Sequence, residues 1–321
     1  MGVSENLDES ALRGGRLCVV GNINRDLKTA PLVASDRLFQ DGETSVSSIV
    51  ETIGGGGANS ACIAAALGAE VSFLGKIGAD SLGLQLERTL ERQGVRPFLK
   101  RDPSVRSGTS IALSFNQGHR HFLSSLPNNA ALQFEDLDLR ALSRAEHLYR
   151  ADLWFSEPML FGGNERLFTA ARAAGLGISI DLNWDPCWGV ASPEVVRRRK
   201  QAVRAVLPQV TMVHGNVREL NEFAGSTSLE TSLQRLQEWG VGAVVVHLGA
   251  RGAGFYTRGS WIEEPALPAS CQFNTTGTGD ALSICMMLLQ THSDVSAKLR
   301  LANRIVTEYI QGVRALIPEI A

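Results

Sequence analysis

The chain lacks any apolar run long enough to span a bilayer, which excludes a helical membrane protein. The first fifteen residues are polar and acidic, unlike a secretory signal, and are expected to form a mobile tail. Strong charge of either sign is missing. A formal net charge of −2 gives no global reason to expect nucleic acid or a membrane surface as partner. Five cysteines (Cys18, Cys62, Cys187, Cys271, Cys285) show neither CxxC nor CxH spacing. Their odd number argues against a disulfide framework and suits a reducing, cytoplasmic compartment. His119 and His121 are the one histidine pair with strand spacing, and without a Cys or carboxylate neighbour they make a poor metal site. Two nucleotide fingerprints are absent as well. Gly21-Asn22-Ile23-Asn24 does not supply the GxGxxG of a nicotinamide-dependent oxidoreductase, and no GxxxxGK[ST] occurs.

What is present is a composition, 44% hydrophobic and 20% charged, that can build a substantial core. No internal repeat or low-complexity linker divides it, so residues 16–321 are expected to form a single domain. Arg16 to Ile23 reads as a buried first strand, Ala58 to Leu67 as a small-residue helix and Val71 to Ile77 as a second strand. Leu82, Leu86 and Leu90 give helical spacing over 81–93. Strands are expected at 147–155, 177–182, 210–214 and 243–248, interleaved with helices at 164–174, 193–207, 216–224 and 228–239. This alternation implies βαβ units and a mainly parallel sheet covered on both faces. Two stretches break it. Residues 27–52 have no helical period, and residues 108–125 read as a hairpin turning at Asn116-Gln117-Gly118. Both are expected to join in a small sheet over a substrate crevice, a lid. Exposed lid strands also offer edges on which two copies can pair as a homodimer.

Three clusters carry polar chemistry. Gly54-Gly55-Gly56-Gly57 precedes Ala58 and Asn59 at a helix start; such a run costs backbone entropy and suits a loop lying against a ligand. Asn24 and Asp26, two residues apart at the end of the first strand, suit the gripping of hydroxyls. Asn274-Thr275-Thr276-Gly277-Thr278-Gly279-Asp280 leads into the apolar run Ala281 to Leu289, which reads as a buried helix. Amides at a helix start bind anions, and a carboxylate beside such a pocket can take a proton from an attacking hydroxyl.

With these clusters in order, the chain resembles the ribokinase-like (pfkB) family of carbohydrate and nucleoside kinases from Arg16 to about Pro318. Further landmarks are Gly75 to Gly83, Glu157-Pro158, Asp181 to Pro186, Asn216-Val217-Arg218-Glu219 and Leu248 to Gly252. The resemblance implies a three-layer α/β/α fold with a mainly parallel central sheet and a small β-sheet lid. It implies Asp280 as the base that deprotonates the acceptor hydroxyl, with the amides of Gly277, Thr278 and Gly279 as the anion hole. Asn24, Asp26, Gly55, Gly56, Asn59 and Glu157 match acceptor-contacting positions. Asn216 and Glu219 match an Asn-x-x-Glu pair that organises Mg²⁺ and phosphate, with Glu219 acting through water. Leu248, Gly249, Gly252 and Asn303 fall where the family binds ATP. His121 on the lid has two readings, substrate-facing and solvent-facing.

Four departures shape the expectation. Asn274 stands where the family has an Asp that helps hold a monovalent cation, which argues against K⁺ activation. Thr278 replaces an Ala and narrows the pocket. Gly56 replaces the Lys of ribokinases proper, and Asp185 stands where several hexose and keto-acid sugar kinases have Arg, a cation that would pair with an acidic substrate. The expected activity is therefore ATP-dependent phosphorylation of a primary hydroxyl on a small neutral sugar. A nucleoside kinase and a non-catalytic sugar-binding regulatory homologue remain as alternatives.

Overall fold

Runs such as Leu17–Val20 and Val244–Val246 have no polar face, so they fit only a sheet covered on both sides. Both are buried there. The computed structural model describes residues 7–116, 120–271 and 276–320; Gln117, Gly118, His119, Asn274 and Thr275 lie outside the described residues. The first half of the chain runs β1 (Arg16–Val20), β2 (Asn24–Thr29), β3 (Ile49–Gly54), α1 (Gly56–Ala66), β4 (Glu70–Gly78), α2 (Ser81–Arg92), β5 (Val95–Asp102), β6 (Gly108–Ser114) and β7 (Arg120–Ser125). A short α3 (Pro127–Ala130) leads to β8 (His147–Arg150), α4 (Asn164–Ala173), β9 (Gly177–Asp181), α5 (Pro193–Val206), β10 (Met212–Asn216), α6 (Val217–Ala224) and α7 (Leu229–Glu238). The rest is β11 (Ala243–His247), the hairpin β12 (Ala253–Thr257) and β13 (Ser260–Glu264), then α8 (Thr278–Leu288) and α9 (Val295–Ile310).

Nine strands form the central sheet in the order β13-β12-β11-β10-β9-β8-β1-β4-β5. The pairing is parallel except at the β12 and β13 edge. One face packs Ile63, Leu86, Ala281, Ile284, Leu299 and Ile305 from α1, α2, α8 and α9. The other packs Phe168, Val203, Leu220, Phe223 and Leu236 from α4 to α7. This is the expected three-layer arrangement. Strand β5 has no counterpart in the sequence pattern because Val95–Asp102 is polar and contains Pro97, both tolerated only at a sheet edge. Strand β8 stops at Arg150 rather than running to 155, since Asp152 takes a left-handed φ of 57°. Of the expected tail, residues 7–15 are packed: Leu12 is buried, and Arg314 Nη2 lies 2.8 Å from Glu9 Oε1.

A separate four-stranded sheet has the order β3-β2-β6-β7 and contains both segments expected as the lid. Asn24 and Asp26 lie on β2, in the middle of this sheet, and not at the end of the first strand. The chain leaves β1 at Val20 and crosses over at Gly21–Ile23. Strand alternation puts Asn24, Asp26 and Lys28 on one face, together with Ser110 on β6 and Phe122 and Ser124 on β7. His121 pairs with Leu113 on the opposite face and is exposed, which excludes its substrate-facing reading.

Candidate active site

The glycine run is built around a carboxylate. Gly55 has φ of 90°, a left-handed conformation that a side chain would strain. It follows β3 and opens α1, whose first amides would lack partners. Asp152 supplies them: Oδ2 accepts from the amides of Asn22 (2.9 Å) and Gly57 (2.8 Å), and Oδ1 from that of Gly56 (3.3 Å). Asn183, itself at φ of 47°, fixes Asp152 by accepting its amide at 2.9 Å. A Cβ at position 56 would lie 2.8 Å from Asp152 Oδ1, so this carboxylate fills the space that a side chain there would need. Beside it, Asn24 Nδ2 donates to Asp26 Oδ1 at 2.7 Å, and both residues are buried. Asn59, one turn into α1, hydrogen-bonds the carboxyl of Asp280 through its side chain, while its buried Oδ1 has no donor.

Asp280 stands in the first turn of α8. Gly277 precedes that helix with φ of 80°, and no side chain caps the start, so the first amides of the helix are open to an anion. The preceding Thr276 is held twice: Tyr309 Oη donates to its carbonyl at 2.8 Å, and Arg120 of the lid donates to its hydroxyl. Next to this turn opens a cavity of about 590 Å³ lined by Gly249, Gly252, Ala266, Thr278, Gly279, Leu282 and Asn303, with Arg120 and His247 also in its wall. Asn303 Nδ2 donates to the carbonyls of Glu264 (2.9 Å) and Pro265 (3.0 Å), which holds the cavity wall in place. Leu248 packs instead into the core beneath, its amide donating to Gly252 O.

Asn216 and Glu219 form a reciprocal cap on α6: Asn216 Oδ1 accepts from the Glu219 amide and Glu219 Oε2 from the Asn216 amide, each at 2.9 Å. Among the described residues no group of three or more His, Cys, Asp or Glu side chains is placed to hold a metal ion directly. A half-buried Glu219 with one oxygen engaged in the cap fits a hydrated divalent ion held at second hand, as Mg²⁺ favours.

Burial and mutual repulsion leave these carboxylates reluctant to ionise. Burial pushes Asp26 up to about 6 and Asp181 to about 6. Burial, with Asp181 nearby, takes Glu219 to about 7, and Asp280 is raised well above the usual range by burial and by Asp181 and Asp152. Buried His147 and His247 go the other way, down to about 4. The signs set the pH dependence. Between about pH 8 and 5 the folded state holds protons at these carboxyls that the unfolded state has released, so lowering the pH stabilises it. Below about 6.5 the unfolded histidines take up protons that the folded ones refuse, which flattens the rise without reversing it, because the raised carboxyls outnumber the depressed histidines. The melting temperature of the ligand-free protein should therefore rise on going from about pH 8 to about 6.5 and more slowly from there to about 5. A monotonic rise with pH across this window in a thermal-shift series would contradict this account.

The structure thus puts Asn59 against Asp280, groups Asn24, Asp26, Gly55 and Gly56 about the glycine turn that opens the same helix, and sets Gly249, Gly252 and Asn303 around the adjoining cavity. Glu157 is placed apart from this set. Its side chain is 73% exposed and lies 3.5 Å from Arg199, with no described contact to Asn24, Asp26 or Asn59. The loop after β8 is pinned by the Trp154 indole, which donates to Leu182 O, and this leaves Glu157 on the outside. Asp185 does not face an acceptor either; it is buried against Arg199 at 2.8 Å. Sequence reasoning missed Asp152, for which no local pattern exists. It also missed Lys28 and Arg120; the spacing Asn24, Asp26, Lys28 was the available signal for the first.

Comparison with known proteins agrees with this geometry. Residues 15–304 match the pfkB family carbohydrate kinase description. A fructokinase of Vibrio alginolyticus is 26% identical, over 81% of this chain and 85% of its own length. An aminoimidazole riboside kinase of Salmonella typhimurium is 26% identical over 77% and 79%, respectively. Among solved structures, an Escherichia coli protein assigned as a ribokinase II, in complex with ATP and Mg²⁺, superposes with a TM-score of 0.77 at 19% identity and 93% coverage of both chains.

Proposed function

The chain belongs to the pfkB family of carbohydrate kinases, and on that premise we propose that it transfers the γ-phosphoryl group of ATP to a primary hydroxyl of a small neutral sugar. The observation that carries this reading is Asp280, at the uncapped start of α8, hydrogen-bonded by Asn59 of the helix that the glycine run opens, with Asn24 and Asp26 as a buried polar pair beside that run. Asn59 Oδ1, buried without a donor, suits a sugar hydroxyl. Asp280 takes the proton of the attacking hydroxyl as its oxygen bonds to phosphorus and the bond to the β-phosphate oxygen breaks. The amides of Gly277, Thr278 and Gly279 take up the charge that develops on the phosphoryl oxygens. ATP would enter the cavity lined by Gly249, Gly252 and Asn303, and Asn216 with Glu219 would hold a hydrated Mg²⁺, which would neutralise phosphate charge. The lid excludes water.

Asp26, Asp152 and Asp280 are already crowded enough to resist ionisation, so a further carboxylate on the acceptor would be disfavoured, which favours a neutral one. A riboside is the second reading, supported by Phe122 on the acceptor face of the lid, 45% exposed and free to lie against a heterocycle. Phosphorylation measured with Mg-ATP on fructose, ribose, adenosine, other nucleosides and 2-keto-3-deoxygluconate, with and without K⁺, tests both. Turnover of a neutral sugar or a riboside is expected. Preference for the acidic sugar would overturn the neutral assignment, and no turnover on any acceptor would favour a regulatory homologue.

A further inference from the structure

Around the glycine run most hydrogen-bond donors are already engaged. Asp152 takes the amides of Gly56 and Gly57, so neither is free for a ligand. The side-chain amide of Asn24 donates to Arg25 O at 3.2 Å and to Asp26 Oδ1 at 2.7 Å, and that of Asn59 is turned to Asp280. Ser110 and Ser124, on the lid face that carries Asn24 and Asp26, bond each other at 2.8 Å. Acceptors are what remain. Asn59 Oδ1 is buried without a donor, Asp26 Oδ2 receives none among the described residues, and Asp152 Oδ1 receives only the long 3.3 Å bond from Gly56.

Two of these acceptors are carboxylates pressed against the glycine run from either side. A Cβ at position 54 would overlap the carboxyl of Asp26, and one at position 56 would meet Asp152 Oδ1 at 2.8 Å. Both residues are buried, and Asp152 is near enough to repel Asp26. The cations closest to them are committed elsewhere. Arg150, beside Asp152, donates to Asn164 and to the carbonyls of Val20 and Ala151, and Lys28, on the face of Asp26, also answers to Asp280 and forms no ion pair with Asp26. Folding has thus already removed most of the water from these carboxylates, so a cation arriving with a ligand gives up only its own hydration.

We propose that the preferred acceptor is an amino sugar, whose primary ammonium seats against Asp26 and Asp152 at the glycine run. An ammonium has three donors and no acceptor, which complements a wall of oxygens. A hydroxyl in the same place donates once and turns its lone pairs toward those oxygens. The crowding that disfavours an acidic acceptor favours a cationic one for the same reason. Phosphorylation of such a sugar rests on the sugar-kinase reading, whereas its binding does not.

Calorimetric binding to the full chain without nucleotide compares D-glucosamine and 3-amino-3-deoxy-D-glucose with D-glucose, and 1-amino-1-deoxy-D-fructose with D-fructose. At least one amino sugar should bind at least about tenfold more tightly than its hydroxyl parent, the scale of a charge-assisted contact with groups already dehydrated. Acetylating its nitrogen, which removes the charge, should abolish the gain. Asp152→Asn should bring the ratio of amino to parent affinity to within about twofold of unity, and Asp26→Asn gives the same readout if the first variant does not fold. Parity or weaker binding for every amino sugar would overturn the proposal, as would a preference that survives both substitutions. If amino sugars bind preferentially but Mg-ATP phosphorylates none of them or their parents, the kinase reading fails and this assignment stands. If the parents are phosphorylated and no amino sugar binds more tightly, the reverse holds.

Discussion

Asp280→Asn is expected to lower turnover at least about a hundredfold, the usual scale for loss of a general base, while leaving nucleotide affinity close to that of the parent. The amide keeps the shape of the side chain and can still accept from the side chain of Asn59, so the crevice should not reorganise. What it loses is the capacity to take a proton. The same substitution should leave the ligand-free protein at least as stable as the parent near pH 8, where the carboxyl, its pKa raised by burial and by Asp181 and Asp152, costs most to ionise. Turnover and melting temperature thus separate in opposite directions, a signature that general misfolding does not give. Near-parental turnover would remove Asp280 from the chemistry.

The second large effect is expected at Asp152. Its carboxylate is the acceptor for three backbone amides, of Asn22, Gly56 and Gly57, where β1 and the start of α1 meet. Asp152→Ala leaves those donors without their partner in a buried place, at about 1–3 kcal/mol for each one that water does not reach. It also puts an alanine at a left-handed φ that Asp tolerates better, a further cost of about 1 kcal/mol. Release of a buried charge offsets part of this, so a loss of about 3 kcal/mol in unfolding free energy is expected. Because the same amides set the path of the glycine run, the acceptor KM should rise by more than the nucleotide KM. Asp152→Asn, which keeps one carbonyl acceptor, should recover much of the stability. Parental stability and acceptor KM in Asp152→Ala would show that water does the work of the carboxylate.

How much of this is legible in the chain alone depends on whether the controlling physics is local. The start of α8 is legible because glycines before an apolar helix with an acidic residue in its first turn are a short-range signal, as is the alternation of apolar strands with amphipathic helices. The Asn216 and Glu219 pair is legible as family chemistry, yet its observed bonds are those of a helix cap, which any chain could use. Asn24 and Asp26 stand out by residue type but fall one strand away from where a local reading puts them, since nothing local marks the crossover at Gly21–Ile23. Strand β5 is hidden by Pro97 and by its exposed edge position. The exposed position of Glu157 is not legible because the loop after β8 is pinned by a tryptophan bond to the residue following β9, a contact between distant segments. Asp152, Lys28 and Arg120 gain their roles only when the sheet and the lid are assembled. Long-range polar contacts leave no period in a sequence.

The contact between Gly56 and Asp152 has a bearing on how this chain can be related to those with a lysine in the glycine run. With 2.8 Å between a Cβ placed at position 56 and Asp152 Oδ1, a side chain at the first position and a carboxylate at the second compete for one volume. A lysine introduced alone meets the carboxylate, and loss of the carboxylate alone strands the amides, so each single change carries a cost and the two positions are expected to change together.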